Sequence, residues 1–280
     1  MFRMDGGWLQ LTFITSLPGG FYHTCVAVLG LLLGSFLNVV VYRLPLMIHN
    51  EGQLTGHGFN LSLPASHCPA CKHPLKYWQN IPVLSWLLLR GKCHYCAASI
   101  SKRYPLTEAG CAAMFLGLSF LFTTPLSLLS ALLLFWFLLA LSLIDLATYL
   151  LPDRLTLPLL WAGLLVHSIS GEVTLQDALY GAAAGYLALW LLYWGVKIVS
   201  GKEGMGYGDF KLLAALGAWV GWQMLPYLCI LAALAGIVFV LIRMGVYKMS
   251  EQIPFGPCLA MAGALIYISQ ESNIVWLMFS

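Results

Sequence analysis

The chain has 280 residues, of which 60% are hydrophobic and only 9% charged, and its mean hydropathy is +0.83. A soluble domain carries about a quarter charged residues, so this composition excludes one and leaves an all-α polytopic membrane protein. The formal net charge is only +3, and its distribution along the chain says more than its size.

Taken in chain order, apolar runs near the ~20 residues that cross the hydrocarbon core fall near 22–42, 107–122, 126–145, 157–170, 178–199, 209–224, 226–243 and 256–279. About eight transmembrane helices are therefore expected, the runs near 107–122 and 157–170 being short. The first run is expected to stay in the protein. It is longer than the h-region of a secretory signal, no basic n-region precedes it, and no small-x-small cleavage site stands clear of Arg43. Three regions follow: residues 1–44 with the first helix, a soluble loop over 45–106, and a membrane-embedded core over 107–280.

The basic residues set the orientation. Arg43, Lys72, Lys76, Arg90, Lys92, Lys102 and Arg103 fall in the first loop, Arg154 in the third, Lys197, Lys202 and Lys211 at the fifth, and Arg243 and Lys248 at the seventh, leaving Arg3 for the other side. Basic residues mark the cytoplasmic face, so odd-numbered loops are expected in the cytoplasm and both termini outside it.

Within the first loop, Cys68-x-x-Cys71 and Cys93-x-x-Cys96 stand about 20 residues apart, the spacing of a four-cysteine zinc site. The other reading of these cysteines is two disulfides, against which stands the reducing cytoplasm. His67, His73 and His94 flank the cysteines and are read as bystanders to a full thiolate set. A loop of about sixty residues is marginal for a core of its own, and zinc would supply what burial cannot. Residues 48–66 read as irregular. Asn80 to Leu89, between the cysteine pairs, is apolar enough either to lie on the membrane surface or to pack under the zinc site. No internal repeat and no phosphate loop is evident. Cys25, Cys111, Cys229 and Cys258 lie in apolar runs and read as small buried hydrophobes.

Further along, Asp145 closes the run Leu126 to Ile144, and Asp209 closes Gly204-Met205-Gly206-Tyr207-Gly208-Asp209, in a chain with only eleven acidic residues. A carboxylate at membrane depth costs about 2.5–3.5 kcal/mol on insertion scales and points to function. By the orientation above both lie at the cytoplasmic boundary, where two neighbouring carboxylates can share a proton as in aspartic proteolysis. Each has a plainer reading: Asp145 as an interfacial anchor, Asp209 as an ion-pair partner of Lys211. The alternating glycines before Asp209, which permit close backbone approach, are not needed by a simple cap. Asp153, in Leu151-Pro152-Asp153, reads as part of a turn, and Asn38 and Glu108 as hydrogen-bonding residues between helices.

Four segments in this order resemble the prepilin peptidases, the type IV leader peptidases of pilus and type II secretion systems. They are Gly34-Ser35-Phe36-Leu37-Asn38-Val39-Val40-Val41-Tyr42-Arg43-Leu44-Pro45, the paired cysteines, Ile144-Asp145 with Leu151-Pro152-Asp153, and Gly206-Tyr207-Gly208-Asp209-Phe210-Lys211. The Gly-x-Gly-Asp element is also similar to that of presenilin-like intramembrane proteases. The resemblance implies an aspartic endopeptidase of the bacterial inner membrane, with Asp145 and Asp209 catalytic, that removes the basic leader of prepilins or pseudopilins after a glycine on the cytoplasmic side. It also implies N-methylation of the new N-terminal residue with S-adenosylmethionine as cofactor, the membrane as the other partner, and no nucleic acid. Cys68, Cys71, Cys93 and Cys96 would hold structural zinc. No dinucleotide-type fingerprint marks a place for S-adenosylmethionine. Gly91-Lys92 is the nearest candidate, and a turn into Cys93 its plainer reading.

Two other classes share some of these features. An ion-coupled transporter also uses intramembrane carboxylates, with repeated halves and broken midplane helices. A zinc-dependent assembly module on a membrane anchor would leave the Gly-x-Gly-Asp run idle.

Overall fold

The computed structural model describes residues 19–49, 60–201, 205–246 and 254–271. Helices account for almost all of its regular structure: α1 Gly19–His49, α2 Leu84–Leu88, α3 Arg103–Leu121, α4 Pro125–Thr148, α5 Asp153–Ser170, α6 Leu175–Ser200, α7 Tyr207–Val220, α8 Leu225–Val246 and α9 Gly256–Glu271. Single-turn 3₁₀ segments lie at Tyr77–Asn80 and Trp222–Met224. Each of the eight expected runs is a helix, with ends shifted by a few residues; 272–279 of the last lie outside the described residues. Five helical stretches are long and apolar enough to cross a membrane: Gly20–His49, Arg103–Leu121, Pro125–Thr148, Leu175–Ser200 and Trp222–Ile242. The protein is a multi-pass membrane protein.

Local chemistry sets the helix ends. Thr124 Oγ1 accepts the Ser127 amide at 3.1 Å ahead of Pro125, a residue suited to a first helical position. Thr174 likewise caps α6 through the Asp177 amide. α5 and α6 stop at Gly171 and Gly201, with φ of 69° and 67°, the left-handed conformation glycine adopts freely.

The chain forms two compact units, residues 1–38 with 64–132, and residues 39–63 with 133–280. In the first, Gly30 and Gly34 of α1 lie on α3: an added Cβ would come 2.7 Å from Ala112 Cα and 2.8 Å from Glu108 Cα. This is the small-xxx-small contact by which membrane helices approach closely. Asn38 Nδ2 donates to the Tyr104 carbonyl at 3.2 Å, and Glu108 accepts from Ser35, so both polar residues bond between helices as expected.

In the second unit, α7 is the central element. It has only 14 residues, and from Leu212 to Val220 every one is buried; a stretch apolar on all sides belongs in a core rather than at a surface. α5, α6 and α9 pack around it. Gly181 and Gly217 bring α6 and α7 together backbone to backbone, and Gly163 receives the face of the Trp219 indole. The last carbonyls of α7, which have no intrahelical donor, are bonded from neighbouring helices: Trp219 O lies 2.8 Å from His167 Nε2, and Val220 O accepts from Gln270 at 3.0 Å.

Candidate active site and metal centre

In the second unit, Asp145 lies in the last turn of α4 and Asp209 in the first turn of α7. Both side chains are buried, 5% and 8% exposed. The charge of Asp145 acts on Asp209, and Leu151 lies against both Gly208 and Gly256, so the two carboxylates that the sequence singled out, 64 positions apart, lie near one another.

Each is oriented by backbone. Asp145 Oδ2 accepts the Gly256 amide at 2.9 Å. Asp209 is the third residue of α7 and reaches back to the Gly206 amide, the helix-start geometry in which an acidic side chain satisfies an orphan N–H. With one backbone donor each, both carboxyl groups keep oxygens for a water or a substrate.

The glycines differ in their duties. A Cβ at Gly208 would fall 2.7 Å from Leu151 Cβ, and one at Gly256 would fall 2.7 Å from Asp145 Oδ2 and 3.1 Å from Leu151 Cδ2. Leu151 is therefore wedged between these two glycines. At Gly206 the nearest atom would be Asp209 Oδ2 at 3.6 Å, an ordinary contact. Gly256 was not among the residues read from the sequence. The signal available was Pro254-Phe255-Gly256-Pro257 at the mouth of the last apolar run, a cluster of helix-start residues that says nothing by itself about Asp145.

Lys211 does not pair with Asp209. Its Nζ donates to both oxygens of Asp153, at 2.6 and 2.7 Å, tying the start of α7 to the start of α5. The acceptor is the half-exposed carboxylate rather than the buried one, because a four-carbon stem near a surface seeks the wetter partner.

In the first unit, the sulfurs of Cys68, Cys71, Cys93 and Cys96 all lie within 4.8 Å of one another, and Cys68 and Cys96 are 3.8 Å apart. A tetrahedron with metal–sulfur bonds of ~2.3 Å has edges of about 3.8 Å, so this donor set fits a metal ion. Disulfide sulfurs would be ~2.05 Å apart, and all eight cysteines are free. The backbone amides of Cys71 and Ala70 donate to the Cys68 sulfur, which stabilises a thiolate there.

The two cysteine pairs are copies of one turn. Lys72 N bonds Cys68 O at 2.9 Å and Ala97 N bonds Cys93 O at 3.0 Å; Cys68 N bonds His73 O and Cys93 N bonds Ala98 O. Lys72 and Ala97 share positive φ, 59° and 57°. This repeat escapes a reading of the sequence because backbone hydrogen bonds define it and its side chains, apart from the cysteines, differ. His67 bonds the Ala65 carbonyl, His73 packs on Tyr95, and His94 meets Trp78 edge-on, so the three histidines are bystanders. Gly91 takes φ 68° over the Trp86 ring, the turn into Cys93.

The protein thus combines apolar helices with two buried aspartates, the charge of Asp145 acting on Asp209, and a cluster of four cysteines. The chain matches the bacterial peptidase A24 N-terminal domain over residues 28–122 and the type IV leader peptidase family over residues 132–241. Relatives similar to this chain carry the name prepilin leader peptidase/N-methyltransferase. That of Stutzerimonas stutzeri is 51% identical, covering 90% of this chain and 91% of its own length. Those of Aeromonas salmonicida (strain A449) and Pseudomonas aeruginosa are 48% and 47% identical, covering 91% and 90% of this chain and 93% and 92% of theirs. No solved structure matches. The chain belongs to the type IV leader peptidase family.

Proposed function

We propose that the protein is an aspartic endopeptidase of the bacterial inner membrane that removes the basic leader from prepilins or pseudopilins at the cytoplasmic face, and that it N-methylates the residue so exposed. The observation that carries the proteolytic assignment is the meeting of Asp145 and Asp209 at two helix ends in a member of this family. Two close carboxyls do not both ionise readily, so one holds a proton while the other is a base. The ionised carboxylate takes a proton from water as the water oxygen bonds to the scissile carbonyl carbon. The protonated carboxyl gives its proton to the carbonyl oxygen. The tetrahedral diol then collapses: one hydroxyl gives its proton to the ionised carboxylate, the C–N bond breaks, and the leaving nitrogen takes the proton of the other carboxyl. A site at the membrane boundary suits a substrate whose apolar helix lies in the bilayer and whose charged leader stays outside.

Cys68, Cys71, Cys93 and Cys96 would hold zinc with no position left open, so the ion contributes folding energy to the loop and not chemistry. S-adenosylmethionine, when bound, supplies the methyl group; none of the chain's residues is assigned to it.

Cleavage of a purified prepilin in detergent, with single substitutions, tests the assignment. Asp145→Asn and Asp209→Asn are each expected to abolish leader release while the protein stays folded, and Asp153→Asn to retain most activity, since its ion pair is exposed. A well-folded Asp145→Asn or Asp209→Asn protein that cleaves at a near-normal rate would rule out the dyad.

A further inference from the structure

The segment between the cysteine turns has no part in the chemistry above. Residues 81–89 are almost wholly apolar, yet they do not pack under the thiolate cluster: Ile81, Leu84, Leu87 and Leu88 are 44%, 58%, 57% and 74% exposed. Pro82 is buried and Trp86 turns inward, its Nε1 donating to the Ile100 carbonyl at 3.2 Å and its ring lying on Gly91. The segment is therefore clamped from behind by one indole and bare in front.

Two observations say what covers the bare face. The first is its tether. The Val83 amide donates to Glu108 Oε2 at 2.7 Å, and Val83 has φ 60°, a conformation that a β-branched residue holds only when its surroundings impose it. Glu108 lies five residues into α3, about 7.5 Å along its axis at 1.5 Å per residue, and α3 is long and apolar enough to span a bilayer. The leucines of α2 are thus held beside the first turns of a membrane helix, the level of ~5–10 Å at which interfacial helices bury their apolar faces. The second is charge. Lys76, Arg90, Lys92, Lys102 and Arg103 are all exposed and bracket the segment in sequence, matching the anionic lipid surface of a cytoplasmic leaflet.

We propose that residues 81–89 form a membrane-surface anchor, with Leu84, Leu87 and Leu88 among the upper acyl chains and Arg90 and Lys92 at the headgroups, fixing the height of the cysteine module on the bilayer. The occupant of the bare face is lipid, not another protein.

The full chain, with an environment-sensitive fluorescent amino acid at position Leu87, is reconstituted into vesicles of phosphatidylethanolamine and phosphatidylglycerol. Emission is read with nitroxide lipids labelled near the top or near the bottom of the acyl chain, and with aqueous iodide. Strong quenching by the shallow nitroxide, weak quenching by the deep one and little by iodide are expected, with loss of the shallow quenching on adding Leu84→Glu and Leu88→Glu. Quenching by iodide alone would place the segment in water, and protection from both lipids and iodide would place it under protein; either overturns the proposal. Bound metal reports whether the module is folded, and a probe that costs the metal is moved to Leu88, where the same outcomes decide.

Discussion

Replacing Gly256 by alanine is expected to slow peptide cleavage without unfolding the core. The new methyl group would lie 2.7 Å from Asp145 Oδ2, whereas ordinary contact begins at 3.4 Å, so the carboxylate must withdraw by about 0.7 Å. Leu151, 3.1 Å from the new methyl and already against Gly208, limits the room into which the methyl group itself could shift. A misplacement of ~1 Å at a reacting group costs up to about a hundredfold. The expected loss in kcat is roughly tenfold to a hundredfold, equal to about 1.4–2.7 kcal/mol of barrier. Gly206→Ala is the matched control: it also stands beside an aspartate of the proposed dyad, but its methyl would meet Asp209 Oδ2 only at 3.6 Å, and its rate should stay near that of the parent. Steady-state cleavage of a purified prepilin in detergent, with thermal denaturation to confirm folding, measures both. Equal rates for Gly256→Ala and the parent, or equal losses for Gly256→Ala and Gly206→Ala, would refute the argument that Gly256 is small to seat Asp145.

Elemental analysis of protein purified without added metal should find one zinc per chain, and Cys93→Ser should lose it and make the loop between Pro64 and Arg103 more sensitive to protease; a metal-free parent chain or a mapped disulfide among the four cysteines would contradict this. Gly217→Ala places a methyl on the Gly181 carbonyl, while at Gly195 an added methyl meets nothing within 4 Å; melting in detergent should therefore fall clearly for Gly217→Ala but hold or rise slightly for Gly195→Ala, by up to about 1 kcal/mol. A reporter active only outside the cytoplasm, fused after Ser66, should stay silent, and a strong signal would invert the orientation drawn from the basic residues.

Composition and spacing alone carried the reading far. Apolar runs located every long helix, because a bilayer demands a fixed length of apolar chain whatever the packing. The cysteine pairs announced the four-sulfur cluster because its members are local, two in each four-residue turn. Asp145 and Asp209 stood out because buried carboxylates are scarce in so apolar a chain. Those signals need no partner to be legible.

What waited for the tertiary structure is contact between residues far apart in the chain. That Lys211 bonds Asp153 rather than Asp209 depends on α5 and α7 starting side by side. That Gly256 orients Asp145 across 111 positions depends on how the start of α9 meets the end of α4. A 14-residue apolar run can be a short span or a buried centre, and only the glycine contacts of α6 and α5 made α7 the latter. The apolar segment between the cysteine turns read either as lying on the membrane surface or as packing under the cysteines, and only the structure shows Leu84, Leu87 and Leu88 exposed. Sequence thus determined which residues must avoid water and which groups carry chemistry, since these are properties of single side chains; structure decided which of them meet, since that depends on the paths of helices whose packing no local pattern records.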